Sequence, residues 1–222
     1  DNYRKNIDLI SNEYKKSLAL ILLRRAMIRK RPYSRFNIKW EKVIQLRDED
    51  FSYRNYKRKR AYHNESFKKH FMSELDSYNK SIFDNKCINK AYNKDIFDII
   101  DKVDADLIYL DPPYPGTMND YYSFYGFLDE FVSSKKLNNF KNNFTDKGTV
   151  VDAFDELFSK LKNFKFLLMS LNSKSFPSKD IMTKLLKKHF KEIELVRKKH
   201  NYQITGSKNK TTNEEYLFKG IV

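Results

Sequence analysis

Five runs in the second part of the chain have the composition of β-strands: KCINKAY (86–92), DLIYL (106–110), KFLLMSL (165–171), EIELVRK (192–198) and EEYLFKGIV (214–222). Between most of them lie segments with helical spacing, near 95–102, 122–137, 150–163 and 178–189. Strands separated by helices pair side by side through crossovers, so the alternation predicts an α/β sheet whose first members run parallel. Asp111 follows directly on the apolar run Leu107 to Leu110. It therefore falls just past the carboxyl end of a buried strand, where open α/β sheets bind their ligands.

The first part of the chain reads differently. Ser11 is placed to cap a helix with Tyr14, Leu18, Ile21 and Leu22 on one stripe, running to about Lys30 and stopped by Pro32. PYSRFNIKW (32–40) and KVIQL (42–46) alternate well enough for short strands or a hairpin, and a helix is expected from Glu65 to Tyr78. Residues 1–85 are thus expected to form a helix-rich basic unit, and 86–222 the part that carries the sheet.

Charge narrows the partners. Lysine and arginine number 44 against 29 acidic residues, a net +15, and the span Arg24 to Arg60 holds 14 basic and 4 acidic residues, +10 of that excess. Such a concentration favours a polyanion, either nucleic acid or an anionic membrane surface. The longest apolar run, Leu18 to Leu23, falls far short of the roughly 20 residues that span a bilayer, and no signal-peptide pattern is visible. A single cysteine, Cys87, excludes an internal disulfide framework and fits a reducing cytoplasm. The histidines at 63, 70, 189 and 200 show no metal-ligand spacing with it, so no metal site is assigned. The five glycines stand at 116, 126, 148, 206 and 220, and form neither a GxGxxG nor a Walker loop.

The stretch LIYLDPPYPGTMNDYYSFYGF (107–127) combines an apolar strand, an acid, two prolines, a tyrosine and then an aromatic-rich loop. One reading of DPPY is a rigid exit turn, because proline cannot continue a strand ladder. Four coincident features favour a functional one. On Asp111-Pro112-Pro113-Tyr114 the sequence resembles the DNA adenine methyltransferases of the Dam-like alpha group, with NKDIFDII (93–100), LLMSLNSKSF (167–176) and HNYQITGSKNKTTNEEYLF (200–218) as further matching pieces. The resemblance covers 86–222 well, and the basic segment before it occupies the place of the group's target-recognition elements.

That resemblance implies a Rossmann-like class I methyltransferase sheet with a helix-rich basic insertion, S-adenosylmethionine as methyl donor and double-stranded DNA as substrate. It implies N6 methylation of a flipped adenine, in a restriction-modification setting, with cytosine the lesser alternative as target. Asp111 and the Pro112 carbonyl are then the acceptors of the two amino hydrogens, Pro113 part of the rigid turn, and Tyr114 the face on which the extruded base stacks. Asp95, with Ile96 beside it, falls where the family places an acid near the donor; a helix N-terminal charge is the plain alternative for Asp95. Of the aromatics at 121–125, Phe124 is expected in the core and Tyr122 in a loop over the base. Asn172 either fixes the far side of the site or caps the strand exit.

RNYKRKR (54–60), with Lys57, Arg58, Lys59 and Arg60, and RKKHNYQITGSKNK (197–210), with Tyr202 and Lys208, are the candidate DNA contacts, a solvated charged face being the ordinary alternative. The family's FxGxG donor loop is absent from this sequence. If 86–92 is the family's third strand and 106–110 its fourth, two strands are missing between them, and the sheet is incomplete without a complementing segment. The expected partner is therefore a polypeptide that brings the FxGxG half, or a removed portion of the same protein, and the opening DNYRKN without methionine fits a cut fragment. The alternative function is a catalytically silent DNA-binding subunit of a restriction-modification assembly.

Overall fold

The computed structural model describes residues 2–31, 39–47, 50, 54, 65–113, 115, 122–138, 142–200 and 213–222. The chain gathers into two compact units, Asp1–Ile88 with Tyr121–Asn139, and Asn89–Asp120 with Phe140–Val222. Its helices and strands are, in order, α1 (Asn2–Asp8), α2 (Glu13–Lys30), α3 (Trp40–Arg47), α4 (Phe67–Met72), α5 (Leu75–Lys80), α6 (Ile96–Ile99) and β1 (Leu107–Leu110). After a π turn at Tyr122–Gly126 come α7 (Phe127–Ser133), α8 (Val150–Ser159), β2 (Phe166–Asn172), α9 (Lys179–His189), β3 (Glu192–His200) and β4 (Asn213–Ile221).

The first unit is helical. The side chain of Asn12, not Ser11, caps α2 by accepting from the Lys15 amide at 3.0 Å. Of α2 only Leu22, Leu23 and Ala26 are buried, and polar ties add to this packing. Arg25 Nε donates to Glu74 Oε2 at 3.0 Å, Arg29 pairs with the same carboxylate and also reaches Ser73 Oγ at 2.7 Å. Arg24 meets Asp129 at 3.2 Å. Three of the basic residues counted above are therefore engaged within the protein. KVIQL is helical, inside α3, where a strand or hairpin was expected; Val43, Ile44 and Leu46 suit either period over so short a run, and Glu41 and Gln45 favour the helix. The helix expected over 65–78 divides at Ser73 and Glu74, where Ser73 Oγ donates to the His70 carbonyl at 2.9 Å and Glu74 turns to the arginines. The helix expected to 137 stops at Ser133, since Ser134 takes a left-handed conformation, φ 56°.

The second unit holds the sheet, ordered β1-β2-β4-β3. β1 and β2 run parallel, with Leu107 beside Phe166 and Leu110 beside Met169, and β4 is antiparallel to both β2 and β3. The parallel β1–β2 pair agrees with the alternation of strands and helices in the sequence. On one face Leu110, Leu167, Met169, Leu171 and Phe218 bury against Phe154, Leu157 and Phe158 of α8 and Met182 and Leu186 of α9. Ring pairs continue from Phe97 through Phe144, Phe154 and Phe158 to Phe190, with centroids 5.1 to 5.9 Å apart. On the other face Leu107, Tyr109, Phe166 and Ile221 are exposed.

KCINKAY is not a strand: Ile88 stands 90% exposed, and no residue of 86–92 joins the sheet. The outer edge of β1 has no strand partner among the described residues. Strand propensity is realised only against a neighbouring ladder, and this segment has none. Among the described residues no helix is long and apolar enough to cross a membrane, and no group of His, Cys, Asp and Glu is arranged to hold a metal ion.

Candidate active site

Pro112 has no amide hydrogen to give a ladder, so β1 ends at Leu110 and Asp111 is delivered at its carboxyl end. Side chains two apart on a strand share a face, which puts Tyr109 and Asp111 on the same side. Extending the parallel register by one residue sets Asp111 beside Ser170 of β2. There Ser170 Oγ donates to Asp111 Oδ1 at 2.9 Å, and Tyr109 OH donates to Ser170 Oγ at 3.2 Å. Just beyond, the Pro115 carbonyl accepts from the Phe176 amide at 3.0 Å, tying the proline turn to the loop after β2.

A cavity of about 500 Å³ opens at this end of β1, and Asp95, Ile96, Asp111, Pro112 and Pro113 all line it, with Phe144 on its wall. Five of the residues singled out in the sequence thus meet around one space. Asp95 serves the local structure as well, because its Oδ1 accepts from the Phe97 amide at 3.0 Å and caps α6. Asn172 caps the strand exit: its Oδ1 accepts from the Lys174 amide at 2.9 Å while its Nδ2 donates to Glu215 at 2.8 Å.

Other expected residues are placed elsewhere or not described. Tyr122 opens the π turn before α7 instead of lying in a loop, and belongs to the first unit. Its hydroxyl donates to Glu130 Oε1 at 3.1 Å, a bond that, with the charge of Glu130, pushes the phenol pKa up. Tyr114, Lys57, Arg58, Lys59, Arg60, Tyr202 and Lys208 lie outside the described residues.

Sequence reasoning missed Tyr109, Ser170 and Phe144. A hydroxyl at the end of the strand after DPPY was visible in the sequence, but which residue it faces depends on a register between segments 59 residues apart.

Residues 12–204 match the model of the D12 class N6 adenine-specific DNA methyltransferases, and the chain belongs to that family. It is similar to the type II methyltransferase M2.HphI of Haemophilus parahaemolyticus, 49% identical over 218 residues, which cover 98% of this chain and 65% of that protein. Modification methylase StsI of Streptococcus sanguinis is 27% identical over 165 residues, covering 68% of this chain and 25% of that protein. The type II methyltransferase M.FokI of Planomicrobium okeanokoites is 31% identical over 136 residues, covering 54% and 20%. The chain therefore spans less than two thirds of the length of each of these relatives. No solved structure matches it.

Proposed function

We propose that this chain carries the acceptor site and DNA contacts of an N6-adenine DNA methyltransferase of a restriction-modification system, acting in the cytoplasm on double-stranded DNA. The observation that carries the reading is Asp111, set by the proline turn at the carboxyl end of a parallel strand and lining one cavity with Asp95. An adenine amino group nucleophilically attacks poorly because its lone pair is delocalised into the ring. The Asp111 carboxylate and the Pro112 carbonyl accept its two hydrogens and favour the geometry in which the nitrogen becomes tetrahedral, with acceptors preset where positive charge develops. Reaching that nitrogen requires flipping the base out of the duplex, and Tyr114 supplies the flat surface for it.

The cavity suits the donor expected of the family, S-adenosylmethionine. Phe144, Phe154 and Leu157 form an apolar wall for a purine ring, and the Asp95 carboxylate is an acceptor for hydroxyl or amino groups. When bound, that donor supplies a methyl group on a sulfonium. Asp95 and Ile96 hold it from this chain, while Asp111 faces the junction of donor and base.

A complementing segment completes the donor site. The chain has no FxGxG loop, the outer edge of β1 has no strand partner among the described residues, and M2.HphI is longer than the aligned region. The reading therefore has this segment bring the glycine-rich loop and the strands beside β1. Calorimetry on the chain alone then shows negligible donor binding, and low-micromolar binding without a partner removes the need for a complement.

The deciding experiment is methyl transfer by the complete assembly, with mass spectrometry of the digested DNA. Wild type gives N6-methyladenine; Asp111→Ala keeps DNA affinity and loses transfer by on the order of 100-fold or more. Tyr114→Ala also slows transfer through lost stacking worth roughly 1–3 kcal/mol, and Tyr114→Phe retains most activity. A wild type that methylates no base, or an Asp111→Ala variant at full rate, makes DPPY a structural turn and leaves a silent DNA-binding subunit as the function.

A further inference from the structure

Asp111 is not aimed by its own strand alone. A carboxylate at a strand end turns about Cβ–Cγ, and only a group on a neighbouring element can hold one of its oxygens in a fixed direction. Ser170 does so from β2, and its hydroxyl hydrogen has two places to point unless something takes its lone pair. Tyr109 donates into that lone pair, which leaves Ser170 to donate onward to Asp111 Oδ1. Tyr109 and Ser170 alternate with the buried Leu110 and Met169, and their meeting with Asp111 at the strand end is a consequence of the parallel β1–β2 register.

We propose that Ser170 and Tyr109 are positioning residues for the acceptor: a hydrogen-bond chain running from Tyr109 through Ser170 fixes the rotation of the Asp111 carboxylate, so that it meets the amino group in the geometry of attack. This rests on the methyltransferase reading above. It adds two residues, one of them on a strand that is otherwise purely a sheet member. Ser170 is half-buried, and Tyr109 keeps its ring in place when only the hydroxyl is removed, so both can be altered without opening the core.

The test is single-turnover methyl transfer and DNA affinity in the complete assembly, for Ser170→Ala, Ser170→Thr, Tyr109→Phe and the double variant Asp111→Ala/Ser170→Ala. Ser170→Ala should slow transfer by roughly 10- to 100-fold, the effect of losing a hydrogen bond to a charged group, with DNA affinity unchanged. Ser170→Thr restores most of the rate because the hydroxyl returns. Tyr109→Phe gives a smaller loss of the same kind, and reports on the chain even if Ser170→Ala folds poorly. In the Asp111→Ala background, removal of Ser170 costs nothing more, because the group it positions is gone.

Full-rate transfer by Ser170→Ala or Tyr109→Phe overturns the proposal for that residue. So does an equal loss in both backgrounds, or a fall in affinity that matches the fall in rate, since either marks a general structural effect. These outcomes are separable from failure of the functional reading, which shows as an inactive wild type or a fully active Asp111→Ala.

Discussion

In the helical unit α2 buries Leu22, Leu23 and Ala26 out of eighteen residues, whereas in the sheet unit α8 buries Val150, Ala153, Phe154, Leu157 and Phe158 out of ten. The first adds arginines converging on Glu74 and Asp129 to a small apolar core that includes Ile7, Val43 and Leu128; the second relies on a run of packed aromatic rings under the sheet. Ion pairs at partly exposed positions weaken with salt and with protonation of the acid, while apolar packing is not weakened by charge screening and needs no ionised acid. Both units therefore respond to ionic conditions, the first through Glu74 and Asp129 and the second through Asp155, which pairs with Lys188 and His189, but the second rests on the larger apolar core.

The largest expected effect lies in the aromatic core. Phe154 is fully buried at the centre of the ring series, so Phe154→Ala should destabilise the sheet unit by about 3–5 kcal/mol, lost transfer free energy plus the cavity left behind. Hydrogen exchange resolves the two units: protection should fall in β1, β2 and β4 and persist in α2. Equal loss in both would show that the units do not differ as described.

Second in size is the change in DNA binding on neutralising Lys57, Arg58, Lys59 and Arg60 together. Each lost phosphate contact should flatten the log–log salt dependence by about 0.9 and weaken every sequence alike. A titration of affinity against salt reads this directly, and an unchanged slope assigns these residues to a solvated face, as Arg24, Arg25 and Arg29 already are in part to internal pairs.

Smallest is Glu74→Ala, which leaves Arg25 and Arg29 without their shared acceptor and should cost about 1 kcal/mol, the upper end for exposed pairs. The hydrogen bond from Arg25 chiefly, with the charges of Arg25 and Arg29, holds the Glu74 carboxyl below the usual glutamate range, with desolvation opposing. A carboxyl lowered on folding contributes stability above its unfolded pKa and loses it as pH falls through the folded value. Wild type and variant should therefore differ at neutral pH and converge in acid, and melting curves across that range check the sign. A gap that persists in acid would mean that the side chain acts through packing.

Much of the sheet unit was legible because its signals are local. Prolines at 112 and 113 end a strand whatever surrounds them, Asp95 caps α6 from the residue just before that helix, and the runs at 106–110, 165–171, 192–198 and 214–222 have strand composition and fall on β1 to β4. Alternation with helices was enough to anticipate a parallel first pair, and the DPPY motif was enough to expect a ligand site at its end. Where the sequence misled, the local signal was ambiguous or needed a neighbour: KVIQL satisfied two periods, and KCINKAY had strand composition without a ladder to join. Only the tertiary structure decided which side chains meet. The contact of Ser170 with Asp111 depends on a pairing register across 59 residues, and the union of Asp95 with the proline turn around one cavity depends on how the segment before β1 packs. Register and packing are collective properties of the whole sheet, fixed by which face each strand must bury, and no single stretch of sequence contains them.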